Sequence, residues 1–98
     1  MDKFRFTFRE WFLMKKVKIY FSEYCPYCKS VEALMNKKNI SFEKIDVDLD
    51  TNLREEMVKI SGRTSVPQVF VNDLHLGGCD DVYDLENKGE LDSLIFKN

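Results

Sequence analysis

Ninety-eight residues, 44% of them apolar, suit one compact domain with a real core; they exclude a second domain and an intrinsically disordered chain. A formal charge of −2 excludes the basic surface of a nucleic-acid binder. No apolar run approaches the roughly 18–20 residues that a membrane span needs.

Residues 1–16 differ in texture from the rest. Phe4, Phe6 and Phe8 alternate with Lys3, Arg5, Thr7 and Arg9, and Trp11, Phe12 and Leu13 follow. Five basic residues against Asp2 and Glu10 give this stretch a charge of +3, which leaves −5 for the remainder. One reading is an upstream start, with the working domain beginning at Met14 and residues 1–13 an extension of unknown role. An extra edge strand and a membrane-surface segment are the alternatives. A secretory signal is not expected, because there is no clean apolar stretch followed by a small-residue cleavage site.

From Val17 the elements alternate. Val17 to Phe21 reads as a buried strand. Pro26 to about Lys38 reads as a helix with Val31, Leu34 and Met35 on one face, closed by Asn39. Phe42, Ile45 and Val47 mark a second strand that runs into Asp46, Asp48 and Asp50. Leu53 to Ile60 predicts a helix with Leu53, Met57 and Ile60 on one face, stopped by Gly62. Pro67 to Val71 is a third strand, Asn72-Asp73 a turn, and Leu74 to Leu76 its hairpin partner. Gly77-Gly78 breaks the chain. Asp80 or Asp81 can then cap a helix that runs to about Asn87, and Gly89 ends it. Glu90 to Phe96 gives a last short helix. A βαβ unit followed by an antiparallel hairpin predicts an α/β protein: a mixed four-stranded sheet with helices on both faces.

Cys25, Cys28 and Cys79 are an odd number of thiols and a poor disulfide framework, which fits a reducing compartment, the cytoplasm. With His75 they could in principle make a Cys3His zinc site, but there is no second paired spacing, and no metal is expected. Cys25-Pro26-Tyr27-Cys28 follows a strand inside a βαβ unit, which is a redox signature. Disulfide exchange needs a thiolate, and a helix N-terminus favours one through unpaired amides and the positive end of the dipole. Cys25 sits where strand gives way to helix, and Pro26 falls at the first helical position, where its missing N–H is harmless. The amides of Tyr27 and Cys28 can point at the Cys25 sulfur. Cys25 is thus the expected nucleophile and Cys28 the resolving thiol; the bland alternative is a pair of inert buried cysteines.

Three motifs in order and at family spacing, from about Met14 to Phe96, resemble the dithiol glutaredoxins, and among them the bacterial glutaredoxin 3 type. They are Cys25-Pro26-Tyr27-Cys28, Ser61-Gly62-Arg63-Thr64-Ser65-Val66-Pro67 and Gly77-Gly78-Cys79-Asp80-Asp81. The resemblance implies a thioredoxin-like fold, glutathione as co-substrate, and reduction of protein disulfides and of glutathionylated proteins by a monomer. It also implies a cis-proline turn at Val66-Pro67, after Ser65, whose free Val66 N–H and C=O pair with the cysteinyl part of glutathione. Otherwise Pro67 merely begins an edge strand. Gly78 and the amides of Cys79 and Asp80 would hold the γ-glutamyl carboxylate, with the Asp80 side chain facing the ammonium. Tyr27 would contact glutathione beside the thiol, and Arg54 would reach the glycyl carboxylate unless it is a solvated helix-face charge.

The chain departs from the family at Ser22, where many members carry lysine, and at Ser65, where threonine is usual. Thiolate stabilisation must therefore lean on the helix N-terminus. Cys79 is either a small buried residue or a site of regulatory oxidation. Two rivals remain: a redoxin fed by thioredoxin reductase, and an iron–sulfur carrier, which Pro26 and Cys28 disfavour.

Overall fold

The computed structural model describes residues 15–96; the predicted extension over 1–13 lies outside the described residues. Eight elements follow in chain order: β1 (Val17–Phe21), α1 (Pro26–Lys37), β2 (Glu43–Asp46), α2 (Thr51–Ser61), β3 (Gln68–Val71), β4 (Leu74–Gly77), α3 (Cys79–Asn87) and α4 (Leu91–Ile95). The strands form one sheet in the order β2-β1-β3-β4. β1 runs parallel to β2 and antiparallel to β3, and β3 is antiparallel to β4. The sheet is mixed, as the sequence predicts.

Strand periodicity sorts the core into two layers. Val17, Ile19 and Phe21 of β1 and Val69 and Val71 of β3 point to one face. There they meet Cys28, Val31, Leu34 and Met35 of α1, Val82 of α3, and Leu91 and Ile95 of α4. The intervening residues, Tyr20 and Phe70, point to the other face and meet Val47, just past β2, and Met57 of α2. Helices therefore cover both faces. On the first, Lys38 just past α1 pairs with Glu86 of α3 at 2.9 Å and Asp92 of α4 at 3.0 Å. On the second, the Tyr20 hydroxyl donates to Glu56 of α2 at 2.6 Å.

Several boundaries move by a residue or two. Asn39 does close α1, with a positive φ of 61°. α2 ends against Gly62, whose φ of 73° lies in the left-handed region that favours glycine. The expected three-residue stripe on α2 is not realised. Met57 is fully buried and Leu53 half-buried, whereas Ile60 is 48% exposed because it lies at the helix end, beside a shallow surface cavity. At α3, Asp81, one of the two expected capping residues, does take part in the cap, though not from the N-cap position. Gly78 is the N-cap, and Asp81, one turn in, reaches back to accept the Gly78 N–H at 2.9 Å. Gly77 must be glycine here: its φ is 116°, and a Cβ would collide with the Asp81 carboxylate.

Candidate active site

Three connections converge at one end of the sheet. β1 ends there and leads into Cys25, β3 begins there after Pro67, and β4 arrives there at Gly77. Cys25 is the N-cap of α1, with extended backbone dihedrals (φ −99°, ψ 110°). Its sulfur accepts the Cys28 N–H at 3.1 Å. Of the two amides expected at the sulfur, the Cys28 amide makes the bond and the Tyr27 amide does not. Cys28 is the third residue of the helix, which an N-cap side chain reaches most readily. The Cys25 thiol in turn donates to the Val66 carbonyl at 3.6 Å. The Val66–Pro67 peptide is cis, as the resemblance implied.

The three thiols occupy different environments. Cys25 is half-exposed and Cys28 fully buried. Burial pushes the Cys28 thiol up to about 12, and its hydrogen bond with Cys25 acts in the same direction. Cys79 is half-buried at the first position of α3; burial raises it as well, helped by Asp80 and Cys25.

A cleft of about 460 Å³ opens beside Cys25, lined by Tyr27, Arg63, Ser65, Val66, Pro67, Gly78, Cys79, Asp80 and Asp81. All of the expected contact residues meet there except Arg54. That side chain is held outside by Asp48 at 3.0 Å and by the Thr64 carbonyl at 3.4 Å. Ser22 donates to the same Asp48 carboxylate at 2.5 Å. Ser22, the expected departure from the family pattern, is thus tied into an Asp48–Arg54 cluster. The amides of Cys79 and Asp80 open α3 and have no intrahelical acceptor, which gives the cleft an anion-accepting end.

Two cleft residues were missed as site residues. The Asp81 carboxylate takes the Arg63 guanidinium at 2.8 Å, and this pair, with the Gly78 N–H, holds it below the usual carboxylate value. The signal for Arg63 was its place three residues before Val66, and for Asp81 its place three after the Gly78 cap. His75, a candidate zinc ligand, instead bonds to Gln68 at 2.7 Å. Among the described residues no group of three or more histidines, cysteines or carboxylates could hold a metal ion.

A cysteine pair at a helix N-terminus, facing a cis-proline loop across a cleft in a mixed four-stranded sheet, defines a thiol–disulfide oxidoreductase of thioredoxin-like fold. The chain belongs to the glutaredoxin family: the family model Glutaredoxin matches residues 17–76. It is 49% identical to Glutaredoxin 3 of Escherichia coli over 82 residues, which cover 84% of this chain and 99% of that protein. The solution structure of a glutaredoxin from Brucella melitensis superposes with a TM-score of 0.78 at 45% identity, covering 86% of this chain and 91% of that one. A buckwheat glutaredoxin–glutathione complex superposes at 0.75 with 26% identity, over 81% and 74% of the two chains. The activity is glutathione-dependent thiol–disulfide exchange.

Proposed function

We propose that Cys25 is the nucleophile, Cys28 the resolving thiol, and the adjacent cleft the seat of glutathione, so that the protein reduces both glutathionylated proteins and protein disulfides. The observation that carries this reading is the Cys25 sulfur. It accepts the Cys28 amide at 3.1 Å, and it lies 3.6 Å from a carbonyl of the cleft wall, that of Val66.

In the monothiol route the Cys25 thiolate attacks the glutathionyl sulfur of a mixed disulfide. The S–S bond breaks, the protein thiolate leaves and takes up a proton, and Cys25 is left bonded to glutathione. A second glutathione thiolate attacks that glutathionyl sulfur, which yields glutathione disulfide and restores Cys25. In the dithiol route Cys25 attacks a protein disulfide, and Cys28 then attacks the Cys25 sulfur. Two electrons pass to the substrate and an intramolecular disulfide remains, which two glutathiones reduce. Cys28 holds its proton until that step, and the departing thiolate beside it is the natural acceptor.

Deprotonation of Cys25 removes the thiol proton that the Val66 carbonyl accepts. That carbonyl then becomes available to the cysteinyl N–H of glutathione, and the Val66 N–H to its carbonyl, as at a strand edge. The Cys79 and Asp80 amides and Gly78 suit the γ-glutamyl carboxylate, and the Asp80 side chain suits its ammonium. Tyr27 and Ser65 flank the tripeptide. Arg54, beside Thr64, would have to exchange Asp48 for the glycyl carboxylate. No metal takes part in this scheme. The protein is read as a monomer of the reducing cytoplasm, which three cysteines with only one close pair suit better than a disulfide framework would. The working domain is taken as residues 14–98, with 1–13 an extension.

The test is a glutathione-coupled assay. Cys25→Ser abolishes all turnover. Cys28→Ser keeps removal of glutathione from a glutathionylated protein and loses reduction of an intramolecular protein disulfide. A Cys28→Ser protein as inert as Cys25→Ser in the first assay would refute the division of roles.

A further inference from the structure

Gln68 is the one residue of the polar and charged types that is buried among the described residues, with no measurable exposure. A buried amide costs stability unless its ends are bonded, and both are. Its nitrogen donates to the Ser65 carbonyl at 2.9 Å and lies 3.4 Å from the Ser65 hydroxyl. Its oxygen faces Nε2 of His75 at 2.7 Å. The Ser65 carbonyl can only accept, so the amide nitrogen must be the end that faces it. The amide oxygen therefore needs a donor, which fixes the proton on Nε2 of His75. The His75 ring is held in place by stacking on Phe70, with centroids 4.8 Å apart and planes inclined at 29°.

The location gives this network its meaning. The Gln68 backbone is fixed in the β3 ladder opposite Tyr20, while its side chain turns back to Ser65. It therefore brackets Val66 and Pro67, the two residues between, from the face of the sheet away from Cys25. We propose that Gln68, oriented by His75, is a positioning residue for the reaction: it aims the Val66 peptide groups at Cys25 and at the backbone of the glutathionyl substrate. This rests on the reading above that Val66 pairs with the cysteinyl peptide groups of glutathione.

Gln68→Met keeps the size and shape of the side chain and removes both polar ends. His75→Phe keeps the stack on Phe70 and removes the donor. The probes are a glutathionylated peptide and an analogue methylated at the cysteinyl amide nitrogen of its glutathione. On the parent protein the analogue has the higher KM, because it cannot donate to the Val66 carbonyl. In Gln68→Met, KM for the unmodified probe rises about five- to tenfold, the loss of roughly one oriented hydrogen bond, with kcat held within about twofold. Discrimination against the methylated analogue shrinks towards unity. His75→Phe moves both quantities in the same direction, and the double variant is no worse than Gln68→Met alone, since the two act in series.

A general loss of stability would lower activity without removing that discrimination. If the parent protein fails to discriminate, the Val66 reading falls and the relay falls with it. If the parent discriminates and both folded variants discriminate equally well, the relay alone is wrong. Should Gln68→Met not fold, His75→Phe carries the same test.

Discussion

Three cysteines that look alike in composition are made unlike by a few ångströms of surroundings. Cys25 caps a helix and reaches solvent; Cys28, one turn later on the same helix, faces the core between Val31 and the sheet. Cys79 opens another helix, half-buried, with Asp80 beside it. Thiolate fraction and access together set reactivity. With limiting iodoacetamide at neutral pH, the native protein is expected to label first at Cys25 and more slowly at Cys79. Cys28 is expected to label only when the protein is unfolded. Peptide mass mapping reads the order, and early label on Cys28 would contradict its burial. Ser22 shows how a substitution can be absorbed locally: its hydroxyl joins the exposed Asp48–Arg54 pair, so the missing lysine leaves behind a small polar cluster.

Among the elements, α2 is less deeply anchored than α1, which is of similar length. It buries one residue fully, Met57, where α1 buries Cys28, Val31, Leu34 and Met35. Met57→Ala should therefore cost about 2–5 kcal/mol, the usual range for a buried large-to-alanine truncation, read by urea unfolding of the purified protein. A loss well under 1 kcal/mol would mean that the Tyr20–Glu56 bond and half-buried Val58 hold the helix instead. The elements were legible because their signals are local: the apolar run of β1, Pro26 at a helix start, and Gly62 and Asn39 at helix ends. The place of Cys25 at the start of α1 was legible for the same reason. The exposure of Ile60 was not, since helical spacing says which residues share a face but not how far the sheet beneath extends. Nor was the capture of Arg54 by Asp48, six residues away across a turn. The Gln68–His75 bond lies beyond any local pattern, because it joins neighbouring strands across a hairpin.

At the scale of the whole molecule, an ordered sheet gathers the chemistry at one end. The segments carrying Cys25, Val66 and Gly78 are far apart in the chain and meet because β1, β3 and β4 are neighbours with alternating direction. At the other end, one strand length from Cys25 or roughly 16 Å for the five residues of β1, the Lys15 N–H donates to the Ile95 carbonyl at 2.8 Å. The start and the finish of the described chain are thus in contact, away from the Cys25 sulfur. Connectivity and architecture are therefore separable in this molecule. A circular permutant can join Asn98 to Met1, so that residues 97–98 and 1–14 become its connector, and be opened after Asp73 in the exposed hairpin turn. It is expected to rebuild the same sheet and to remove glutathione from a glutathionylated protein as the parent does. A permutant that folds, by circular dichroism, but has lost that activity would show that the order of synthesis, and not only the set of contacts, is written into the site.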